Sequence, residues 1–365
     1  MPQSRPSISV AVPLYSRPEE LRELLASMAA LEVPPDELLL CEDHSPERPL
    51  LRQIALEFRE TLRGTGCALR YVENETNLGY DGNVRRLLEI SSGDWVMLLG
   101  NDDVLLPCAI SRLRQYLAEN RGVHVVSRSF LRFDSDVSSP LGLSRQSVSD
   151  RLFTRRDSDA GVIMRLCGFV GGLAIERQWA VQHATSRYDG TLYYQLYLGA
   201  LAYADGGIGY ISAPIVGARV DRAPLFGSAK SEKALHTPGA YTAKGRAAMW
   251  SGALRICADI QQRTSVPLLS GMRRELARRQ SFHVFEMTAR RGRRATIAMA
   301  RELHRVRTMS HPLPWALFVL VMLLGRNSTV VFRILRERLQ PVGGMGQSSR
   351  RDDLQSGKWE KQSPS

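Results

Sequence analysis

The sequence predicts an α/β fold, a mostly parallel sheet flanked by helices, with a helical C-terminal extension. Three observations predict it. Residues 7–127 alternate short apolar runs with segments of helical period, the pattern of parallel strands joined by helices. Two of those runs lead into adjacent acids, Glu42-Asp43 and Asp102-Asp103, so acid gathers where buried strands would surface. Residues 240–308 then change character and read as helices rich in Ala and Arg.

The first strand is Ile8-Ser9-Val10-Ala11-Val12, closed by Pro13. Ser16-Arg17-Pro18-Glu19 has the Ser-x-x-Glu spacing of a capping box, and Leu21, Leu24, Leu25 and Met28 follow on one face, so a helix is expected over about 17–30. Leu38 to Cys41 is the second strand and Leu69 to Val72 the third. Asn77-Leu78-Gly79-Tyr80-Asp81-Gly82-Asn83 then opens a helix carrying Val84, Leu87 and Leu88. The turn signal Ser92-Gly93-Asp94 precedes the fourth strand, Trp95 to Leu99. With right-handed crossovers, strands two and four place Glu42, Asp43, Asp102 and Asp103 on one edge of a single parallel sheet.

A helix over Pro107 to Glu119 and a strand at Val123 to Val126 continue the sheet, while Asp134 to Asp159 reads as loop or inserted structure. Gly168 to Ile175 mixes β-formers with glycines that permit close backbone approach. A buried helix is expected over Leu192 to Tyr203 and a late strand at Ile208 to Ile211. Trp315 to Leu324 is continuously apolar but shorter than the roughly 17–25 residues of a spanning helix. With Val330, Val331, Phe332, Ile334 and Leu335 among basic residues after it, it reads as a segment lying in a membrane surface, a buried core helix being the alternative. The expected division is 1–225 for the α/β domain, 226–340 for the basic helical extension and 341–365 for a disordered tail.

At 365 residues the chain can bury a sizeable core. Its five cysteines are scattered and lack Cys-x-x-Cys spacing, which argues against a disulfide framework and a zinc site and fits a reducing, cytoplasmic setting. Residues 1–7 lack the apolar core of a signal peptide. The net charge of +12 is concentrated between Arg273 and Arg307, which implies an anionic partner surface, a membrane face or a nucleic acid, or else a solvated basic helix face. No nucleic-acid-binding signature accompanies it, so no nucleic acid is expected as partner. A Gly-x-Gly-x-x-Gly turn after the first strand is also missing, against a nicotinamide dehydrogenase.

Adjacent carboxylates at Asp102 and Asp103 repel unless a cation or a donor-rich ligand compensates them, and hard divalent cations favour such oxygens. The alternative for the same residues is a helix cap.

Taken in order, Val12-Pro13-Leu14-Tyr15-Ser16-Arg17, the acid-ended second strand, Asn77-Leu78-Gly79 and the acid-ended fourth strand resemble family 2 glycosyltransferases of the GT-A (Rossmann-like) fold, over roughly residues 7–215. Asn-Leu-Gly-Tyr-x-Gly-Asn and Leu-Gly-Asn-Asp-Asp look most like the abequosyltransferase-type enzymes of bacterial surface polysaccharide synthesis. The resemblance implies transfer of a sugar from a nucleoside diphosphate sugar to a saccharide or lipid-linked saccharide acceptor, inverting and dependent on a divalent metal (Mg or Mn). It implies metal binding by Asp102 and support from Asp103, with Gly100 in place of the motif's first Asp. It places Pro13, Tyr15 and Arg17 in the first nucleotide-binding loop, Glu42 and Asp43 at the base, Asn101 at the ribose, and Asn77 and Asn83 nearby. The acceptor strand falls at Gly171-Gly172 and Arg177. The family's acidic pair on the following helix is not evident, so Asp189 is the residue chosen as base, although Asp-Gly is equally a turn signal. His236 is a late metal ligand or a lone surface histidine. Together these readings place the chain on the cytoplasmic face of an anionic membrane. A non-catalytic nucleotide-sugar-binding protein would share the same sheet edge.

Overall fold

The computed structural model describes residues 5–220 and 222–339. The α/β part runs β1 (Ile8–Leu14), α1 (Pro18–Ala29), β2 (Glu37–Glu42), α2 (Arg48–Thr65), β3 (Ala68–Glu73), α3 (Gly79–Ile90), β4 (Trp95–Leu98), β5 (Val104–Leu105), α4 (Ala109–Glu119), β6 (Val125–Phe133), β7 (Gly142–Ser144), β8 (Arg151–Phe153), α5 (Val162–Cys167), β9 (Leu173–Glu176), α6 (Arg177–Gln182), α7 (Tyr194–Asp205) and β10 (Ile208–Arg219). The extension adds α8 (Ala243–Thr264), α9 (Leu269–Glu275), a π-helical turn (Leu276–Gln280), α10 (Ser281–Arg291), α11 (Arg293–Arg305), α12 (Pro312–Leu324) and α13 (Ser328–Leu339).

The strands form one sheet in the order β3-β2-β1-β4-β9-β6-β10-β5, with β7 beside β6 and β8 beside β10. β3, β2, β1 and β4 are parallel, as expected. The sheet as a whole is mixed rather than parallel, because β9 enters antiparallel between β4 and β6, Leu98 facing Leu173. Gly172, at φ +79°, makes this reversal possible: its N–H donates to the Leu98 carbonyl at 2.6 Å, from backbone that L side chains rarely adopt. The segment 134–159, expected as loop or inserted structure, contributes the short strands β7 and β8.

Two local expectations are corrected at the start of the chain. β1 does not stop at Pro13 but continues to Leu14, with Pro13 opposite Cys41 and the Asp43 N–H donating to the Leu14 carbonyl at 3.0 Å. The capping box does not form, since Ser16 and Arg17 both take positive φ (54° and 64°) and no side chain caps α1. The turn is shaped instead by Asn101, whose amide donates to the carbonyls of Tyr15 (3.0 Å) and Ser16 (3.3 Å). A distant residue overrides the local signal.

Strand side chains alternate between two apolar layers, as a period of two requires. Val10, Val12, Leu38, Leu40 and Met97 pack with Leu21, Leu24 and Leu25 of α1, Ile54 of α2 and Leu113 of α4. Ala11, Leu39, Val96 and Leu98 face Val84 and Leu87 of α3 and the apolar body of α7. That second layer runs unbroken into the extension through Trp250, Ile256 and Phe285. Each such fully buried side chain contributes about 1.5–3 kcal/mol, so the extension is held by a shared core rather than by a linker.

α12 ends where Gly325 takes φ +57°, and α13 follows after a 3-10 turn. Taken together across that break, Pro312–Leu335 is a 24-residue stretch apolar enough to cross a membrane by length and composition. Only its inner stripe, including Leu317, Val321 and Phe332, packs on the core, and Trp315, Val319, Leu323, Val330 and Ile334 are exposed. The tail expected to be disordered, 341–365, lies outside the described residues.

Candidate functional site

At the carboxyl ends of β1, β2 and β4 opens a cavity of about 1260 Å³. This is where open α/β sheets bind ligands. Pro13, Tyr15 and Arg17 line it from the turn after β1, Asp43 from the end of β2, Asn77 and Asn83 from the entry of α3, and Asn101, Asp102 and Asp103 from the turn after β4. Nine of the sequence-predicted residues therefore meet in one place. Arg219 closes the strand side, Glu232 comes from the connection after β10, and Glu286, Arg290 and Arg291 of α10 form the far wall.

Asp43 is buried and accepts three hydrogen bonds, from the backbone N–H of Leu78 (2.8 Å) and Gly79 (2.9 Å) and from the Asn74 amide (2.7 Å). Burial pushes its carboxyl above the ordinary carboxylate value, against these three donors. Glu42 does not join it. As the last residue of β2 it points to the other side of the sheet, fully buried, where the N–H groups of His44 and Ser45 and the Arg48 guanidinium hold it. Glu42 is an anchor of the β2–α2 turn rather than a base contact.

Asn101 spends its amide on the β1–α1 turn, which leaves it a positioning role instead of the expected ribose contact. Asn77 accepts from the Gly79 N–H (3.0 Å) in a local turn, and Asn83 donates to the Cys41 carbonyl (2.9 Å). Both brace the loop around Asp43.

Asp102 is ion-paired with Arg17, whose second guanidinium nitrogen donates to the Ala223 carbonyl at 2.7 Å. Asp103 is buried, accepts from the Arg219 N–H at 3.1 Å, and is pushed up to about 8 by burial and by the charge of Asp102. Neither caps α4, whose first residue is Ala109 and whose N-cap is Cys108, so the helix-cap reading is set aside. Gly100 explains the missing first acid of the motif. A Cβ there would stand 2.6 Å from Asp103 Oδ2 and 3.3 Å from Asp102 Oδ1, so the two carboxylates front one small volume that only glycine leaves open. A Cβ at Gly171 would come closer still to the same Asp103 oxygen. Among the described residues no group of three or more His, Cys, Asp or Glu is placed to hold a metal ion. The Asp102-Asp103 pair fits a hard cation only if a ligand supplies further oxygens.

Three sequence candidates lie elsewhere. Asp189 is off the cavity, bound by both guanidinium nitrogens of Arg85 at 2.5 and 3.0 Å. His236 is buried, its Nε2 3.0 Å from the Gly190 carbonyl and its ring against Phe226, so it is a packed core histidine. Arg177 likewise faces the opposite end of β4, donating to the Gly93 carbonyl. On α7, the second helix after the glycine-rich strand, the buried Gln195 accepts from the Tyr80 hydroxyl at 3.1 Å.

Sequence reasoning missed Glu232, Arg219 and Glu286. Glu232 is buried on the cavity wall and accepts from the N–H groups of Tyr80 (2.7 Å) and Gly227 (2.6 Å), stitching the segment after β10 to the start of α3. No spacing rule links residues so far apart in sequence.

The sequence profile described as Glycosyl transferase family 2 matches residues 9–174. Abequosyltransferase RfbV of Salmonella typhimurium is 23% identical over 240 residues, 62% of this chain and 71% of the relative. S. aureus TarS 1–349, solved with UDP-GlcNAc, superposes with a TM-score of 0.55 at 16% identity, over 89% of each chain. The mannosyltransferase PcManGT from Pyrobaculum calidifontis, solved with GDP-Man and Mn2+, gives 0.52 at 14% identity, over 92% of this chain and 86% of that one. At these identities the structural likeness is one of fold, and the fold is that of GT-A glycosyltransferases.

Proposed function

We propose that this chain, a family 2 glycosyltransferase through its residues 9–174, binds a nucleoside diphosphate sugar in the cavity at the ends of β1, β2 and β4 and transfers the sugar, with inversion, to a saccharide acceptor. The observation that carries this is the convergence of Asp43, Arg17, Asp102 and Asp103 on one cavity. Asp43, at the end of β2 against the turn between β3 and α3, suits an imide N–H of a base, since a carboxylate only accepts. Arg17 offers the diphosphate a guanidinium fork once released from Asp102. Asp102, with Asp103 beside it, would hold a Mg or Mn ion completed by diphosphate oxygens, in the way Mg is usually bound by one or two carboxylates plus substrate phosphates. Such an ion neutralises charge that grows on the leaving diphosphate. Neighbours of this fold solved with UDP-GlcNAc and with GDP-Man and Mn2+ support the donor class and the metal, and the likeness to an abequosyltransferase supports a role in surface polysaccharide synthesis.

A thermal-shift panel of nucleotide sugars, with and without manganese, tests this reading, because a ligand that binds only the folded state raises the melting temperature. One donor should stabilise the protein more with manganese, and Asp102→Asn should remove the manganese-dependent part. A panel with no response, or one in which Asp102→Asn responds like the wild type, overturns it.

The proposal extends to place: the chain sits on the cytoplasmic face of an anionic membrane and acts on a lipid-linked acceptor. Supporting it are the exposed Trp315, Val319 and Leu323 of α12 and the exposed Arg293, which donates to the Leu323 carbonyl at 3.3 Å. Val319→Glu/Leu323→Glu should abolish sedimentation with phosphatidylglycerol vesicles without changing the melting temperature. Undiminished sedimentation sinks the membrane placement alone.

A further inference from the structure

A second cavity, of about 560 Å³, adjoins the first and shares Arg132, Phe169, Tyr241 and His283 with it. Its charge is one-sided. Arg132, Arg165, Arg246 and Arg279 line it, and no Asp or Glu does among the described residues. The donor-side cavity, by contrast, mixes its arginines with Asp43, Asp102, Asp103, Glu232 and Glu286. Behind the second cavity a single buried carboxylate, Glu275, serves two of the four cations, Arg165 at 2.5 Å and Arg279 at 3.8 Å. Arg132 and Arg246 form no ion pair among the described residues. The Nε of Arg246 is buried without a hydrogen-bond partner, and its guanidinium lies 4.5 Å from the Tyr241 ring centre. Burial, and then the charge of Arg165, pull the Arg279 guanidinium below its ordinary value.

The backbone is also unusual there. Arg279 and Gln280, both lining residues, sit in the π-helical turn Leu276–Gln280, and single π turns inside helices occur frequently at functional sites. Guanidinium groups crowded in a concave wall without acids repel one another unless an anion enters, and their planar forks match phosphate oxygens. A single carboxylate would be satisfied by one fork. Four forks against one buried glutamate suit a group with more than one negative charge.

We infer that the second cavity is a phosphoryl-binding subsite for the acceptor, in which Arg132, Arg165, Arg246 and Arg279 hold a phosphate carried next to the sugar that receives the transfer. Its assignment to the acceptor rests on the glycosyl-transfer reading, whereas phosphate binding there does not. Two arginines come from the α/β part (β6 and α5) and two from the extension (α8 and the π turn), so the extension completes the subsite. A lipid phosphate and a soluble sugar phosphate share this chemistry.

Isothermal titration in EDTA, which removes metal-assisted binding to the donor cavity, tests the subsite with farnesyl phosphate, glucose 1-phosphate, farnesol and glucose as probes. Both phosphates should bind more tightly than their neutral counterparts, and R246Q/R279Q should weaken them at least about tenfold, one tenfold being 1.4 kcal/mol. R246K/R279K, which keeps the charge, should retain most of the affinity, and Asp102→Asn all of it. Farnesyl phosphate binding more tightly than glucose 1-phosphate assigns a lipid source, and equal binding a soluble one. Phosphates that bind no better than the neutral probes, or whose binding is lost in Asp102→Asn and kept in R246Q/R279Q, overturn the inference. Should R246Q/R279Q fail to fold, the wild-type comparison of phosphate with neutral probe and the lysine pair still decide. The donor reading fails separately, through the manganese-dependent response to nucleotide sugars, which R246Q/R279Q should preserve.

Discussion

The two adjoining cavities are built from the same kinds of side chain but are balanced differently. On the donor side nearly every charge is met: Asp43 by three donors, Asp102 by Arg17, Glu232 by two backbone N–H groups. On the other side four arginines line the cavity, and one glutamate behind it pairs with two of them. A wall whose charges are already paired changes partners when a ligand arrives, while a wall with an excess of cations draws opposite charge. On the readings proposed above, the difference fits the first cavity to a ligand carrying both donors and anionic oxygens, and the second to anionic charge.

Substitutions break or sharpen this contrast. Asp102→Asn should have the largest effect, lowering kcat for sugar transfer by about 10²–10³-fold, the range seen when one group that stabilises developing charge is removed. Steady-state rates at saturating donor check it, and an unchanged kcat would move the reactive centre away from the turn after β4. Asp43→Asn comes next. It turns an acceptor of two backbone N–H groups into a group that is half donor, so the donor KM should rise about tenfold and stability fall by about 1–3 kcal/mol. A KM for the acceptor that rises instead would blur the division between the cavities.

The seam between the two walls gives a smaller, pH-dependent effect. Asp81, on α3, accepts from the N–H groups of Leu192 (2.8 Å) and Tyr194 (2.9 Å) and so ties the donor wall to the start of α7. Burial lifts its carboxyl to about 7 from an ordinary 3.8, against those two bonds. Between these values the folded chain keeps a proton that the unfolded chain has released, so the contribution of Asp81 to stability falls as pH rises from about 4 to about 7. Urea midpoints measured across that window should decline for the wild type and decline less for Asp81→Asn; parallel curves would show that Asp81 is ionised in the folded state. The smallest effect is expected at Asp189→Asn, which should leave kcat and its pH profile intact and cost only about 0.5–1 kcal/mol through the lost Arg85 pair. A collapsed kcat would restore Asp189 as the base.

Legibility followed distance along the chain. Asp43, Asp102 and Asp103 are legible because each follows an apolar run, and a buried run followed by acid announces a strand surfacing at a sheet edge, whereas Pro13, Tyr15 and Arg17 follow only from the family resemblance. Asp189 is ambiguous in sequence because a turn aspartate and a catalytic one look alike there, and only the fold places Arg85, far away in sequence, against it. The capping box failed for the same reason, as Asn101 reshaped the turn from across the sheet. Glu232 and Arg246 left no local signal.

By itself the sequence determined the α/β alternation, the four parallel strands, the acid-ended edge and the basic helical extension. Those depend on periodicities and pairings spanning a few residues, which any segment carries within itself. Tertiary structure alone decided that β9 runs antiparallel, that Glu42 turns away while Asp43 faces the cavity, and that four arginines drawn from β6, α5, α8 and the π turn converge. Side-chain charge is a local property, but its balance is set by what lies within a few ångströms through space, and that is known only once the chain has folded.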